Sequence, residues 1–503
     1  MKAKQQHPLI VGTFILTAAG ILTRLIGFLY RIYLSRLFGE EGMGIYQLLS
    51  PVLSLSFSLT AAGYQTAISK LVAEQAATRK SPALTPLWLG LGISLPLSVL
   101  CNALLFFLAD PIAFGLLREP RTASMLRILS FSVPLSAVHS CINGYFYGIK
   151  KAGIPAGAQL LEQITRVGCV YIVSAYIFSV GKTPSISVAV LGLTVGEFFS
   201  MLMTIAAIHP ERKNGSGIRL SQHYEPGLRN PNPLFHRNKS ASQLAPYKTA
   251  GSNPLQKLSG KTAAQIPDAI LRPLSAQPAA SVRSLSGKLL AMALPLTANR
   301  IVLNFLQSIE SVSIPAQLRL YGYDSVTSLS VYGVLTGMAM PFIFFPNALT
   351  SSVAVLLLPI ISENYALGNM DTVRKTILRT VKYCGLMGVC CMGGFVLLGT
   401  WAGTTLFDSP LAGYFIRTLG FICPFLYLDT TLSSILQGLG LAGHLFGMNV
   451  ICLLLRLGFV FLAVPRFGIT GYLWGLLASQ LALGLLYLCC LYRFLSKKSA
   501  AHI

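Results

Sequence analysis

Twelve long apolar stretches constrain the fold of this 503-residue chain more than any other feature. Hydrophobic residues make up 53% of the sequence and charged residues only 11%. Since the hydrocarbon core of a bilayer is about 30 Å thick, a helix needs roughly 20 apolar residues to cross it. The pattern predicts an all-α polytopic membrane protein with about 12 transmembrane helices. We number the predicted spans 1 to 12, at residues 10–34, 45–68, 85–109, 122–147, 154–179, 184–208, 287–313, 328–358, 378–403, 411–437, 442–464 and 468–494.

The second half of the chain repeats the first. Segment 148–168, GIKKAGIPAGAQLLEQITRVG, aligns without a gap with segment 438–458, GLGLAGHLFGMNVICLLLRLG. In this alignment Gly148, Ala152, Gly153, Gly157, Arg166 and Gly168 fall on Gly438, Ala442, Gly443, Gly447, Arg456 and Gly458. Since each half holds six spans, an even number, both halves enter the membrane from the same side. The repeat predicts two parallel six-helix lobes related by an axis near the membrane normal.

One long polar segment separates the two halves. It is rich in Pro, Ser, Asn, Gln and basic residues and lacks apolar periodicity, which is typical of a disordered segment. We expect an N-terminal lobe at 1–208, a basic cytoplasmic linker at 209–286 and a C-terminal lobe at 287–503.

The formal net charge of +23 would suggest a nucleic-acid partner in a soluble chain. Here, however, the lysines and arginines lie mainly between alternate spans. With both termini in the cytoplasm, 22 of them lie in cytoplasmic segments outside the spans and six in segments on the opposite side. This bias agrees with the positive-inside rule. We therefore expect a multi-pass protein of the cytoplasmic membrane with membrane lipids, and not nucleic acid, as partners.

Several arginines fall inside the spans. Arg24 and Arg31 are seven residues apart in span 1, which places them on one helical face. Arg300 lies at a comparable depth in span 7, where ANRIVLN aligns with LTRLIGF of span 1. Arginine at bilayer depth costs about 3 kcal/mol on insertion scales and normally faces a bundle interior or a watery cavity. For Arg31 the alternative is snorkelling to the interface.

The repeated arginines Arg166 and Arg456 are candidates for either a substrate contact or a structural role. Glu162 precedes Arg166 by four residues, so the two side chains can pair on one helical face. Carboxylates inside spans can also titrate or hold a cation during transport. Candidates for coupling to a cation or proton are Glu162, Glu197, Glu310 and Asp429.

The motifs of membrane-bound enzymes are missing from the sequence. There is no DxD, no HExxH and no Walker GxxxxGK[ST] motif. All ten cysteines lie within or beside apolar stretches, so no disulfide framework is indicated. No selectivity-filter loop is present that would indicate a channel. We expect no enzyme activity, no catalytic residues, no metal site and no cofactor.

Four motifs resemble one family. They are AGILTRLIGFLYRIYLSRLFGEEGMGIYQLLSP, AISKLVAE, GYFYGIKKAGIPAGAQLLEQITRV and VYGVLTGMAMPF. The chain resembles the stage V sporulation protein B group of the multidrug/oligosaccharidyl-lipid/polysaccharide (MOP) exporter superfamily, which is related to the MurJ lipid II flippases. The likeness covers nearly the whole chain apart from about 210–285.

The resemblance implies a MATE-like pair of six-helix lobes that moves an undecaprenyl-diphosphate saccharide across the membrane by alternating access. Such a flippase serves cell-wall, spore-cortex or other polysaccharide biosynthesis, and cell-wall synthesis proteins are candidate partners. By position, the resemblance makes Arg24 and Arg300, with Arg31, the residues that bind the diphosphate. Two alternatives stay open: a cation-coupled multidrug or metabolite exporter of the same superfamily, and a cell-wall scaffold that transports nothing.

Overall fold

The computed structural model describes residues 8–78, 84–213 and 282–500, and these residues contain helices and no strand. The first half contains α1 Pro8–Leu48, α2 Ser50–Phe57, α3 Gly63–Thr78, α4 Thr85–Phe107, α5 Ala109–Pro111, α6 Thr122–Ser130, α7 Ser132–Gly148, α8 Gly153–Ser179 and α9 Ser187–Lys213. The second half contains α10 Val282–Tyr321, α11 Ser325–Gly333, α12 Met340–Phe344, α13 Asn347–Ala366, α14 Met370–Phe407, α15 Pro410–Leu419, α16 Cys423–Gly438, α17 Ala442–Leu462, α18 Val464–Phe467 and α19 Ile469–Ala500.

All twelve predicted spans are helical, and twelve helices of the described chain are long and apolar enough to cross a membrane. The bounds of the observed membrane helices differ from those of the predicted spans at two places. Predicted spans 1 and 2 lie in one helical stretch, 17–76, in which Gly39 has a left-handed backbone conformation (φ 69°). Its 60 residues suffice for two crossings at about 1.5 Å per residue. Only glycine adopts this φ readily, so Gly39 lets the chain reverse direction between the two spans.

Predicted span 8 is longer than the sequence indicates and is broken in the middle. It begins as α11, continues through a π-helical segment at 334–339 into α12, and resumes as α13 after Phe345 and Pro346. Proline supplies no backbone N–H and cannot continue the helical hydrogen bonds, which explains the break before Asn347. π-Helical turns and broken helices at membrane depth are common at functional sites.

The helices form two lobes, as the repeat predicts. In the first lobe α8 packs on α9, and α7 packs on α3, α4 and α9; in the second, α14 packs on α15 and α16, and α17 packs on α19. Helix α10 contacts both lobes, because it packs against α2 and α3 as well as against α17 and α18. The predicted linker at 209–286 lies largely outside the described residues, apart from the end of α9 and the start of α10.

Three buried apolar clusters show how the lobes are joined. We call the end of the bundle that carries residues 8 and 500 the terminal end, and the opposite end the far end. The first cluster combines both lobes, for example Leu34 and Ile45 with Leu329 and Phe415. The other two lie towards the terminal end. One is built from α3, α4, α7 and the start of α10, and the other from second-lobe helices alone.

Polar contacts between the lobes also lie at the far end. The Arg36 guanidinium donates to the backbone carbonyls of Thr405 (2.6 Å) and Leu406 (3.0 Å). The Ser409 hydroxyl donates to the Glu40 carboxylate. Together with the shared core, these contacts close the far end, whereas each lobe has its own core towards the terminal end.

Gly44 allows the closest backbone approach between the lobes. A Cβ atom at Gly44 would lie 2.0 Å from the carbonyl oxygen of Leu329, and one at Gly333 would lie 2.3 Å from that of Glu40. The two glycines therefore let α1 and α11 pack backbone against backbone.

We predict that Gly44→Ala destabilises the far-end closure, because the new methyl group forces these two helices apart. Overpacking of this kind costs about 2 kcal/mol, so the melting temperature of the purified protein should fall by several degrees. Gly20→Ala on the same helix is the matched control, since nothing lies within 4 Å of its Cβ position. Equal melting temperatures for the two variants would contradict the packing described.

Candidate substrate cavity and intramembrane charge clusters

A cavity of about 480 Å³ lies between the first helix of one lobe and the broken helix of the other. Helix α1 contributes one wall with residues at i, i+3, i+4 and i+7, which is the spacing of a single helical face. The lining residues are Arg24, Gly27, Phe28 and Arg31 from α1, and Thr336, Met340, Pro341, Phe344, Phe345 and Asn347 from the broken helix.

Arg24 and Arg31 supply the positive charge of this cavity. Arg24 is exposed and Arg31 is half-buried, and no acidic residue of the described chain forms an ion pair with either of them. Arg31 lies on the wall of this cavity, one face of α1 away from lipid-facing Leu29. Two unpaired guanidinium groups about ten angstroms apart along a helix (seven residues at about 1.5 Å each) can bind an anion together.

The rest of the wall is aromatic and apolar. The ring of Phe28 packs against Phe345 and Phe342 of the other lobe at centroid distances of 5.4 and 5.6 Å. At the helix break, the side-chain oxygen of Asn347 accepts hydrogen bonds from Thr350 and Thr430. These contacts hold the amide of Asn347 at the start of α13, beside the cavity.

Arg300, the third arginine expected at a binding site, does not line this cavity. Its side chain is exposed on α10. It shares a helical face with Thr297 and Asn304. Asn304 donates hydrogen bonds to the Ser54 carbonyl and the Ser58 hydroxyl of the first lobe, and Thr297 packs against Gly63. The structure therefore places Arg300 on the face of α10 that meets the second span, apart from Arg24 and Arg31.

Two of the four candidate acids lie together in the first lobe. Glu162 pairs with Arg166 on α8, as their spacing predicts. Glu197 on α9 lies 2.7 Å from Nε2 of His139 on α7. One ligand-capable atom from each of His139, Glu162 and Glu197 lies within 4.8 Å of the others.

Sequence reasoning missed His139. Its partners are on other helices, so no local spacing connects them, and the only available signal was a histidine inside an apolar span.

Arg456 occupies the repeat position of Arg166 but has a different partner. Its guanidinium lies 2.6 Å from both carboxylate oxygens of Glu310 on α10. The Tyr472 hydroxyl donates to the same carboxylate at 2.7 Å. The acid four residues before Arg456 has been replaced by Cys452, so the second arginine pairs across helices where the first pairs within one. Arg456 also lines a smaller cavity of about 190 Å³.

Asp429, the last of the four acids, lies apart from these clusters. Its side chain is 6% exposed, and neither carboxylate oxygen has a hydrogen-bond partner. Its nearest structural constraint is Gly484, where a Cβ atom would lie 3.1 Å from Oδ1. Because neither oxygen contacts a residue of the two charge clusters, Asp429 belongs to neither of them. A buried carboxyl without a partner is costly when it is ionised.

Comparison with known proteins agrees with this geometry. Residues 9–219 match the model of the family described as polysaccharide biosynthesis protein. The chain is 26% identical over 481 residues to stage V sporulation protein B of Bacillus subtilis (strain 168), covering 95% of this chain and 82% of that protein.

Solved structures show the same fold. An inward-facing multidrug resistance MATE family transporter of the MOP superfamily has a TM-score of 0.66 at 14% identity and covers 96% of this chain and 98% of its own. The lipid II flippase MurJ in an inward closed conformation has a TM-score of 0.65 at 14% identity, with coverages of 95% and 87%.

The chain is thus a multi-pass membrane protein with the two-lobed fold of the MOP superfamily transporters. Its predicted resemblance to the stage V sporulation protein B and MurJ-like flippase group is confirmed by the family match, the sequence relative and the structural neighbours. These relatives support a membrane flippase or transporter.

We predict that Arg456 is structural. Removing one partner of a buried ion pair costs about 3–5 kcal/mol, because the other charge is left uncompensated. Arg456→Ala should therefore lower the thermal stability of the purified protein strongly, and Arg456→Met combined with Glu310→Gln should restore most of it. Arg24→Ala is the control and should leave the melting temperature unchanged, since Arg24 is exposed and unpaired. A stable Arg456→Ala variant would contradict this role.

Proposed function

We propose that this protein is a flippase that moves an undecaprenyl-diphosphate-linked saccharide across the cytoplasmic membrane by alternating access. The observation that supports this proposal most is the pair of unpaired arginines, Arg24 and Arg31, on the wall of the cavity between the lobes. Elsewhere in the described spans, Arg166 and Arg456 each have a carboxylate partner, and Arg300 has none but does not line the cavity. Arginines left without one at membrane depth suit an anionic ligand that arrives from outside the chain.

A diphosphate fits these two groups chemically. Guanidinium groups bind phosphate oxygens through paired, charge-assisted hydrogen bonds, which gives geometry as well as affinity. The apolar wall built from Phe28, Met340 and Phe344 suits the uncharged atoms next to the diphosphate. The polyprenyl tail stays in lipid while the headgroup passes between the lobes.

The contacts at the far end support a direction of transport. With the termini in the cytoplasm, the cavity faces the inner leaflet, where lipid-linked precursors are made, and the closed far end faces outward. Rocking of the lobes would break the contacts of Arg36 and Glu40 and open the far end. Arg300, on the face of α10 that meets the first lobe, would then take over part of the diphosphate contact.

The chemistry of the cavity weighs against the exporter alternative. A cavity for organic cations should carry acidic groups, but the charged groups that line this one are both arginines. The scaffold alternative has no use for a cavity of this volume. A binding comparison between a cationic dye and a polyprenyl diphosphate separates the exporter from the flippase, and a transport assay separates both from a scaffold.

We predict that Arg24→Ala and Arg31→Ala each slow translocation of a fluorescent polyprenyl-diphosphate saccharide in proteoliposomes by about 10- to 100-fold. The magnitude follows from losing one charged hydrogen-bonding group, worth about 1.5–3 kcal/mol. Translocation is measured by quenching of the outer-leaflet label with a membrane-impermeant reagent. Arg24→Lys should fall between wild type and Arg24→Ala, because lysine keeps the charge but cannot bind in a bidentate manner.

Arg466→Ala is the matched control, since Arg466 is exposed in the short helix α18 and does not line the cavity. It should translocate lipid at the wild-type rate. Full translocation by both the Arg24→Ala and the Arg31→Ala proteins would exclude the arginine pair as the diphosphate site.

A further inference from the structure

The first lobe contains a buried group of four ionisable residues whose charges do not balance. Glu162 and Glu197 carry two negative charges, and Arg166 carries one positive charge. The side chains of His139, Glu162, Arg166 and Glu197 are each between 12% and 16% exposed. With a neutral His139 the group has a net charge of −1, and one added positive charge makes it neutral. The nearby Arg31 offsets this charge as long as it holds no anion. Since an uncompensated charge inside the membrane is costly, the group favours one added positive charge once an anion neutralises Arg31.

The geometry favours a proton as that charge. Nε2 of His139 and Oε2 of Glu197 are already 2.7 Å apart, a direct hydrogen bond with no room for an ion between the two atoms. Glu162 is occupied by Arg166. A divalent ion would change the net charge from −1 to +1 and leave the group unbalanced again. An imidazole accepts one proton and titrates near neutral pH in ordinary surroundings.

Asn143 provides an independent sign of a proton site. It is 8% exposed, and its side-chain oxygen has no hydrogen-bond partner. Its amide nitrogen lies 3.3 Å from Nδ1 of His139, the ring nitrogen that faces away from Glu197. A neutral His139 accepts from this amide, whereas a charged His139 must donate there. Rotation of the amide brings the unused oxygen of Asn143 into place as the acceptor.

The second lobe lacks this site. There Arg456 and Glu310 balance each other, and Tyr472 completes the hydrogen bonding of the carboxylate. No histidine joins them in the described chain. The two lobes therefore share an arginine by duplication, but only the first has an additional acid and a group able to take up a proton.

The charge group is also close to the cavity. Arg31, Tyr30 and Tyr46 of α1 lie within electrostatic range of Arg166. The charged groups that act on His139 are Glu197 and Glu162. Helix α3 also packs on α7 and carries Lys70 and Glu74, but neither acts on His139. Helix α4 carries no charged residue. An anion held by Arg31 offsets positive charge beside Arg166, so it favours a proton on the group. By linkage, a proton on the group favours the anion to the same extent.

We propose that His139 and Glu197, together with Glu162 and Arg166, form a proton-binding site that is loaded when a diphosphate occupies the cavity beside Arg31. This inference rests on the proposed function for its second half, the coupling. The proton site itself stands on the geometry and charge of the first lobe. Transport by this protein is then coupled to proton movement through the first lobe and not through the second.

The coupling is tested by counting protons taken up when geranylgeranyl diphosphate binds to the full chain in lipid nanodiscs. Titration calorimetry in two buffers of different ionisation heat gives this number at a fixed pH and Na⁺ concentration. We expect wild type to take up more protons than His139→Gln, by on the order of half a proton per probe bound at pH 6.5. Glu197→Gln provides a second variant should His139→Gln fail to fold. His444→Gln, an exposed histidine of the second lobe, is the matched control and should equal wild type.

The proton site is tested separately, without any ligand, by NMR of ¹³C-labelled histidine. We expect a resonance that is missing from His139→Gln to shift between pH 8 and pH 5 and to be insensitive to Na⁺. A resonance that responds to Na⁺ at fixed pH, or to neither ion, would overturn the proton site. Equal proton uptake by wild type and His139→Gln would overturn the coupling. If geranylgeranyl diphosphate binds neither to wild type nor to any variant while the His139 resonance still shifts with pH, the proposed function fails and the proton site stands.

Discussion

The structure depends on how each arginine within the hydrocarbon layer is compensated. An intramembrane guanidinium cannot lose its charge, so it needs a carboxylate, a watery surface or a ligand. Arg166 and Arg456 have carboxylate partners, and Arg36 at the far end donates to backbone carbonyls of the other lobe. Arg24 and Arg31 have none of these and lie on the cavity between the lobes. Arg300 also has no ion pair in the described chain, but it is exposed on α10 and does not line this cavity. The paired arginines therefore hold the lobes in shape, and the unpaired ones are available to a substrate.

The same division explains the arrangement of the lobes. At the far end they share one apolar core and meet at the glycine contact of α1 with α11. Towards the terminal end each lobe has a core of its own, and only α10 extends from one to the other. Cores that are separate at the terminal end, apart from α10, allow the lobes to move relative to one another there, while opening the far end must break the polar and glycine contacts and part of the shared apolar core. Alternating access needs both movements.

The sequence predicts the fold well, because hydrophobic length and an internal repeat are strong signals. Both the spans and the pairing of Glu162 with Arg166 follow from spacing within one helix. Contacts between helices have no such signal. The partnership of His139 with Glu197, the pairing of Arg456 with Glu310, and the contact of Arg36 with the last turn of α14 all join residues far apart in the chain. For the same reason the repeat suggests equal roles for Arg166 and Arg456, although substitution of one acid by Cys452 gives them different partners.

The repeat also does not predict which cavity Arg300 lines. Its alignment with Arg24 predicts a comparable depth, but α10 packs against the first lobe, so the two arginines do not line one cavity in this conformation. The predicted joint binding of a diphosphate by Arg24, Arg300 and Arg31 thus stays a prediction, and the structure brings only Arg24 and Arg31 to one cavity.

The central claim is that the cavity beside Arg24 and Arg31 holds a polyprenyl-diphosphate saccharide. Native mass spectrometry of the protein purified from bacterial membranes tests this most directly, because a retained ligand is identified by its mass. We expect an adduct with the mass of a polyprenyl diphosphate carrying sugar, present on wild type and lost from the Arg24→Ala, Arg31→Ala double variant. Retention of bulk phospholipid alone, or an equal adduct on the double variant, would contradict it.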